Sequence, residues 1–294
     1  MASTQSFPDL VLICDDANTS GKVFQIWINE KDSGFKLQQS GKLPTGTQSI
    51  SFADVGMHSP TKVDRSRNPR PTDRDGTIDM VFATCSSVSR LTGLGSDCYV
   101  NVAYNKQLPL CASKTTSSFK NGQRVCRAPE ELCIADPNFT FDLSDNPGND
   151  VRDKILDCKV LPFLKNFQAF ARISIKDLVP TSDGSTPQLL VLDTTYNPSL
   201  PVPLKVGDLN LDGFVDIVPI IATPSPGDRS KLAKTPKILG SVACRKGVAG
   251  CGPDGKGRRG WSVLGRDNNV LEEVQDARGV VLVDIDEDVC FSFL

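Results

Sequence analysis

One run, Asp208-Leu209-Asn210-Leu211-Asp212-Gly213-Phe214-Val215-Asp216, constrains this chain more than any other feature. Oxygen-bearing side chains recur at alternate positions, glycine follows, and a further aspartate closes the run. Ca²⁺ is a hard cation that takes six to eight oxygens at about 2.3–2.6 Å. Asp208, Asn210 and Asp212 supply side-chain oxygens, Phe214 a backbone carbonyl, and Asp216 closes the shell. Gly213 permits the tight turn. An EF-hand needs a bidentate Glu at loop position 12 and a helix on each side. Counting from Asp208, position 12 is Pro219. The flanks, Pro203 to Gly207 and Ile217 to Ile221, are short, rich in β-branched residues and broken by Pro and Gly. They read as strands. The expectation is a calcium loop between two strands. The alternative is a polar hairpin turn without metal, but a turn requires only one or two such residues.

Related runs occur elsewhere. Asp73, Asp75, Thr77 and Asp79 precede the apolar stretch Met80 to Ala83, and Asp284, Asp286 and Asp288 follow Val280 to Val283. A degraded copy runs from Asp177 through Asp183-Gly184 to Leu189–Leu192, where Ser185 to Gln188 replace the closing residues and no metal is expected. Recurrence of this kind points to a repeat architecture. In the copy ending at Asp79, the residue at position 1 of a contiguous loop is Pro71, which has no side-chain ligand. Asp54 stands at the end of its strand as Asp208 does. It is therefore expected to be the first ligand, with residues 56–72 bulging out as a polar, basic insertion; the alternative is that this copy holds no metal.

Composition narrows the class. Val, Ile, Gly, Pro, Asn and Asp are plentiful and long amphipathic helical stretches are scarce, which indicates an all-β chain. A net charge of −2 gives no electrostatic basis for binding nucleic acid. The ten cysteines form no C-x-x-C pair and only one histidine is present, so zinc has few ligands to draw on. Disulfides in an oxidising compartment fit better. Cys126 with Cys133, and Cys244 with Cys251, are the local candidate pairs. Asn18 and Asn138 head sequons that suit glycosylation. No leader-like start and no run of about 18 apolar residues is visible.

Both ends read as cuts through a repeat. Phe7 to Leu10 looks like the second half of a calcium loop, and Asp284 to Asp288 like a first half. A signal peptide and a membrane anchor are therefore expected outside this chain. Between the ends, Gly21 to Asn29 alternates as a strand, Lys36 to Gln39 follows as another, and Cys98 to Asn105 holds a third. Residues 115–123 and 144–150 read as loops, residues 150–157 as a short helix, and Gly247 to Trp261 as a glycine-rich basic loop.

Catalytic devices are poorly supported. His58, the lone histidine, lies in the insertion. Thr92 to Ser96 lacks the Lys of a phosphate loop. The run Val281 to Asp286 superficially resembles a haloacid-dehalogenase nucleophile motif, which opens an α/β domain.

The calcium pattern, with Trp27-Ile28-Asn29 and Gly34-Phe35, resembles the FG-GAP repeat of integrin α-chain propellers. More narrowly, Asp73 to Phe82, Cys98 to Cys111, Gly207 to Gly213 and Gly260 to Leu264 resemble the T-cell immunomodulatory protein family. The likeness covers roughly residues 7–288. It implies an all-β fold, a β-propeller of which this chain makes an incomplete ring of about four to five blades. The expected blades are 7–48, 49–110, 160–205 and 206–283, with insertions at 56–72 and 112–150 and a truncated repeat at 284–294. The resemblance further implies a non-catalytic, calcium-stabilised scaffold for protein–protein interaction or cell adhesion. It would be the ectodomain of a type I membrane protein, with a protein partner or receptor and a membrane helix outside this chain. The runner-up is a glycan-binding or polysaccharide-processing calcium propeller. A third reading is a cytosolic form with free thiols.

Overall fold

The computed structural model describes residues 9–15, 21–30, 33–55, 78–105, 170–181, 184–225, 228–251, 259–264 and 276–283. It also describes short pieces between 108 and 143, residue 274 and residues 292–293. The sequons at Asn18 and Asn138, the insertion with His58, and the segment 150–157 lie outside these residues.

Strands β1 (Leu10–Asp15), β2 (Lys22–Asn29) and β3 (Phe35–Lys42) form one antiparallel sheet. β4 (Thr47–Ala53) and β5 (Asp79–Thr84) start a second. A short hairpin, β6 (Ser87–Val88) and β7 (Leu94–Ser96), leads into β8 (Tyr99–Ala103). β9 (Phe119–Lys120) and β10 (Gln123–Arg124) pair as a small ribbon where a loop was expected. Gly122 supplies the positive φ (76°) that their turn requires. β11 (Phe170–Ser174) runs into one helical turn, α1 (Ile175–Leu178), and then come β12 (Gln188–Leu190), β13 (Leu192–Asp193) and β14 (Leu200–Pro201). β15 (Lys205–Gly207), β16 (Asp216–Val218), β17 (Ile220–Ser225), β18 (Asp228–Pro236), β19 (Leu239–Ala243) and β20 (Arg259–Val263) follow. β21 (Leu282–Val283) pairs with β22 (Ser292–Phe293).

The chain is all-β, built from several antiparallel sheets. Two of them are four-stranded, in the orders β11-β8-β5-β4 and β15-β16-β19-β20. No sheet closes on itself among the described residues. Within the expected blade at 160–205, the described strands β11 and β12 belong to different sheets. Its first strand, β11, pairs with β8 along Phe170↔Ala103 to Ser174↔Tyr99 and completes the sheet begun by β4 and β5. The physical reason is that β8 would otherwise present an unpaired edge. The degraded calcium copy after Ser174 is α1, with Ile175 and Leu178 buried, and β12 joins a different sheet.

That other sheet ties the two four-stranded sheets together. The β6–β7 hairpin extends the β5-to-β8 connection, and β17–β18 extends the β16-to-β19 connection. β12 sits between them, with Leu189 opposite both Gly95 and Ile221.

Burial explains why β5 carries an unbroken apolar run. Every residue of Asp79–Thr84 is buried, as in a strand covered on both faces. Met80 and Phe82 pack on one side with Phe24 and Ile26 of β2. Val81 and Ala83 pack on the other with Ile217, Leu239 and Trp261. Phe82 is wholly buried, a contribution of about 2–3 kcal/mol. The far face of the second four-stranded sheet continues the stack: Val218 clusters with Leu190, Ile220 and Val280, and Leu282 packs against it. β4 lies beside β15. The Ser49 hydroxyl donates to the Val202 carbonyl, and the Ser51 hydroxyl to that of Leu204.

Three disulfides are present among the described residues: Cys85–Cys98, Cys111–Cys126 and Cys244–Cys251. Cys126, expected to pair with Cys133, is bonded to Cys111, because the backbone holds their Cα atoms 5.0 Å apart, within disulfide reach. Cys85–Cys98 crosses the base of the β6–β7 hairpin. A Cβ on Gly95 would lie 2.4 Å from the Cys85 sulfur, so that position excludes any side chain. Cys14 is exposed with a free thiol. The disulfides fit an oxidising, extracellular or lumenal compartment. Among the described residues no helix is long and apolar enough to cross a membrane.

A candidate metal centre between β15 and β16

The Asp208–Asp216 run joins β15 to β16, with Gly207 opposite Asp216 in the ladder. It turns through two left-handed residues, Leu211 (φ 55°) and Gly213 (φ 90°). The second suits glycine. The first strains a leucine, because Cβ approaches the following carbonyl.

The oxygens of the run face inward onto its own backbone. Asp208 Oδ2 accepts from Gly213 N–H at 2.9 Å, and Asn210 Oδ1 from Asp212 N–H at 3.0 Å. Asp212 Oδ1 accepts from Phe214 N–H at 2.8 Å, and its Oδ2 accepts from the Asn210 amide at 3.2 Å. Asp216 is fully buried and bridges two segments. Its Oδ2 accepts from Leu209 N–H and its Oδ1 from Ser241 N–H on β19, both at 3.0 Å. Burial pushes the Asp216 carboxyl above the usual carboxylate range. The two backbone bonds from Ser241 and Leu209 pull it down, and the charges of Asp212 and Asp208 push it up again.

The donor chemistry fits a hard cation. Four side chains bring carboxylate or amide oxygens and no soft ligand to one short loop, and an ionised carboxylate has about four lone-pair sites, more than the bonds above use. No group of three His, Cys, Asp or Glu side chains is already drawn together around a point among the described residues. The carboxylates are held by backbone N–H groups instead. Calcium, if bound, would be held by Asp208, Asn210, Asp212 and Asp216, and it would relieve the mutual repulsion of their charges.

Phe214, expected as a carbonyl donor, is buried, and its ring lies under a guanidinium. Arg259 Cζ sits 3.3 Å from the ring centroid. The Arg259 Nε donates to Ser241 Oγ at 2.8 Å and Nη2 to the Ser241 carbonyl; Nη2 also lies 3.8 Å from Asp212 Oδ2. Burial lowers the Arg259 pKa, and Asp212 and Asp216 oppose that shift. Arg259 was expected in the glycine-rich basic loop from Gly247 to Trp261. It instead opens β20 opposite Ala243. The clue available in the sequence was its place directly before the strand residues Gly260 to Val263.

The second expected site divides. Asp73, Asp75 and Thr77 lie outside the described residues, as do Asp284, Asp286 and Asp288 of the third. Asp79 is described, buried, and placed as Asp216 is, at the head of its strand. Its Oδ2 accepts from Val55 N–H at 3.1 Å and its Oδ1 from Asn105 N–H at 2.9 Å. Val55 follows Asp54 as Leu209 follows Asp208, and Asn105 follows β8 where Ser241 lies in β19. Asp54 thus occupies the place of Asp208. Ser241, Asn105 and Arg259 are the residues that reading the motif alone does not find. Comparison of the chain with protein-family models, with curated proteins and with solved structures found no match.

Proposed function

We propose that this chain is a calcium-stabilised, non-catalytic scaffold of FG-GAP type, part of a β-propeller of the T-cell immunomodulatory protein family. It works outside the cell or in the secretory lumen, as the ectodomain of a membrane-anchored protein, and offers its surface to a protein partner. One observation carries this reading. Two four-stranded antiparallel sheets pack face to face, and each holds an aspartate bracket at the head of the second strand, Asp79 in one and Asp216 in the other. In the second sheet that bracket closes a loop bearing the oxygens of Asp208, Asn210 and Asp212. Repeated sheets with such loops are what stacked propeller blades require, and the three disulfides among the described residues suit the compartment. In this role the metal braces a blade and performs no chemistry.

Calcium sites in extracellular modules bind at about 10⁻⁴–10⁻³ M. At about 1 mM calcium, mass action then gives roughly 0.4–1.4 kcal/mol per site. For a chain of this size that is a rise in melting temperature of about 1–5 °C. Thermal unfolding of the disulfide-intact chain in calcium and in EDTA tests it. The rise is expected in the wild type and is expected to vanish in Asp212→Ala. Identical melting in both buffers sinks the calcium reading.

A further inference from the structure

We infer that Arg259 is a built-in counter-cation for the Asp208–Asp216 loop, holding it in shape without metal and setting how tightly it takes calcium. This rests on the calcium reading of that loop. The contacts form a closed circuit. Asp216 accepts from Ser241 N–H, Ser241 accepts from Arg259 through both Oγ and its carbonyl, and Arg259 returns to the loop at Asp212 and over the Phe214 ring. A guanidinium suits this position because its planar fork satisfies several acceptors while its face stacks on an aromatic ring. It is also mostly buried, with 15% of its side-chain surface exposed, so its charge is poorly screened.

The same charge opposes a dication. A metal ion drawn to Asp212 meets a fixed positive group 3.8 Å from Asp212 Oδ2. One elementary charge beside a doubly charged ion at about 6 Å changes affinity by about tenfold even at the dielectric constant of water. Arg259 thus trades calcium affinity for order in the empty loop. The loop keeps its form when calcium is scarce and responds only to high concentrations, such as those outside the cell.

The test is calorimetric titration with CaCl₂ of wild type, Arg259→Met and Ser241→Ala, alongside urea unfolding of each in EDTA. Methionine keeps an unbranched apolar stem. Ser241→Ala removes only the hydroxyl that anchors Nε, so it is the safer variant if Arg259→Met does not fold. The expected result is a lower urea midpoint in EDTA for both variants together with tighter calcium binding, about tenfold for Arg259→Met and a smaller gain for Ser241→Ala. Lower metal-free stability with unchanged or weaker calcium affinity overturns the inference and leaves Arg259 a packing residue. If wild type takes no calcium but Arg259→Met does, the inference stands and the calcium reading of the native chain falls. If none of the three proteins binds calcium, both are overturned.

Discussion

In the sheet of β4, β5, β8 and β11, Asp79 accepts N–H bonds from Val55 and Asn105; in the sheet of β15, β16, β19 and β20, Asp216 accepts them from Leu209 and Ser241. The geometry repeats, but the chain between the bracketed residues does not. Val55 and Asp79 are 24 residues apart, whereas Leu209 and Asp216 are 7 apart. The bracket therefore does not depend on the loop it closes. An aspartate heading the second strand satisfies backbone donors on its neighbours whether the donor precedes it by 7 residues or by 24. The closing position of the motif reports on the sheet, and only the alternate oxygens before it report on a cation.

The largest test of this equivalence is to remove each bracket. Asp79→Ala and Asp216→Ala each leave two buried N–H groups without their acceptor, at roughly 1–3 kcal/mol apiece. Each variant should lose about 4 kcal/mol in metal-free urea unfolding. A loss below about 1 kcal/mol for either one breaks the parallel.

The connections differ next. Cys85–Cys98 staples the β5-to-β8 connection across 13 residues, while β16 reaches β19 through the longer β17–β18 hairpin with no staple among the described residues. Replacing Cys85 and Cys98 by Ser should cost about 3 kcal/mol, from the loop-closure entropy restored to the unfolded chain. Guanidinium unfolding of the double variant reads it, and an unchanged midpoint would show that β12 alone holds the hairpin.

A smaller effect is confined to the Asp216 loop. Leu211 is left-handed there, so Leu211→Gly should relieve strain and raise metal-free stability by about 0.5 kcal/mol, net of the entropy glycine adds to the unfolded chain. Destabilisation would mean that the half-exposed leucine side chain matters more than its backbone.

The finest test is one of pH. Burial raises the folded pKa of Asp216 above its ordinary value of 3.8. The contribution tied to that shift is complete below 3.8 and is lost as pH rises through the raised folded value. Asp216→Asn lacks this dependence. In EDTA, wild type should therefore gain on the variant between pH 7 and pH 4, read as the difference in urea midpoints. A constant difference would place the carboxyl in an environment like water.

Local features were legible in the sequence. Alternation marked β2, the apolar run marked β5, and the Asp208–Asp216 pattern marked a turn between strands, because these follow from residues adjacent in the chain. Asp54 could be matched to Asp208 from its place at a strand end. What was not legible depended on distant pairing. β11 joins β8 across the segment from 104 to 169, and no pattern within Phe170–Ser174 says which edge it will seek. Cys126 has candidate partners on both sides, and the fold chooses Cys111. Arg259 reaches Phe214 and Ser241 only through the register of β19 on β20, which a linear reading of a basic stretch does not contain.

The position of β5 has a consequence for how the molecule opens. Both its faces are buried and both its edges are paired, to β4 and β8. Its amides reach deuterated solvent only when whole layers part, so their exchange should be the slowest in the chain and report the global opening free energy. The exposed strand β1, at the outer edge of its sheet, should exchange far sooner.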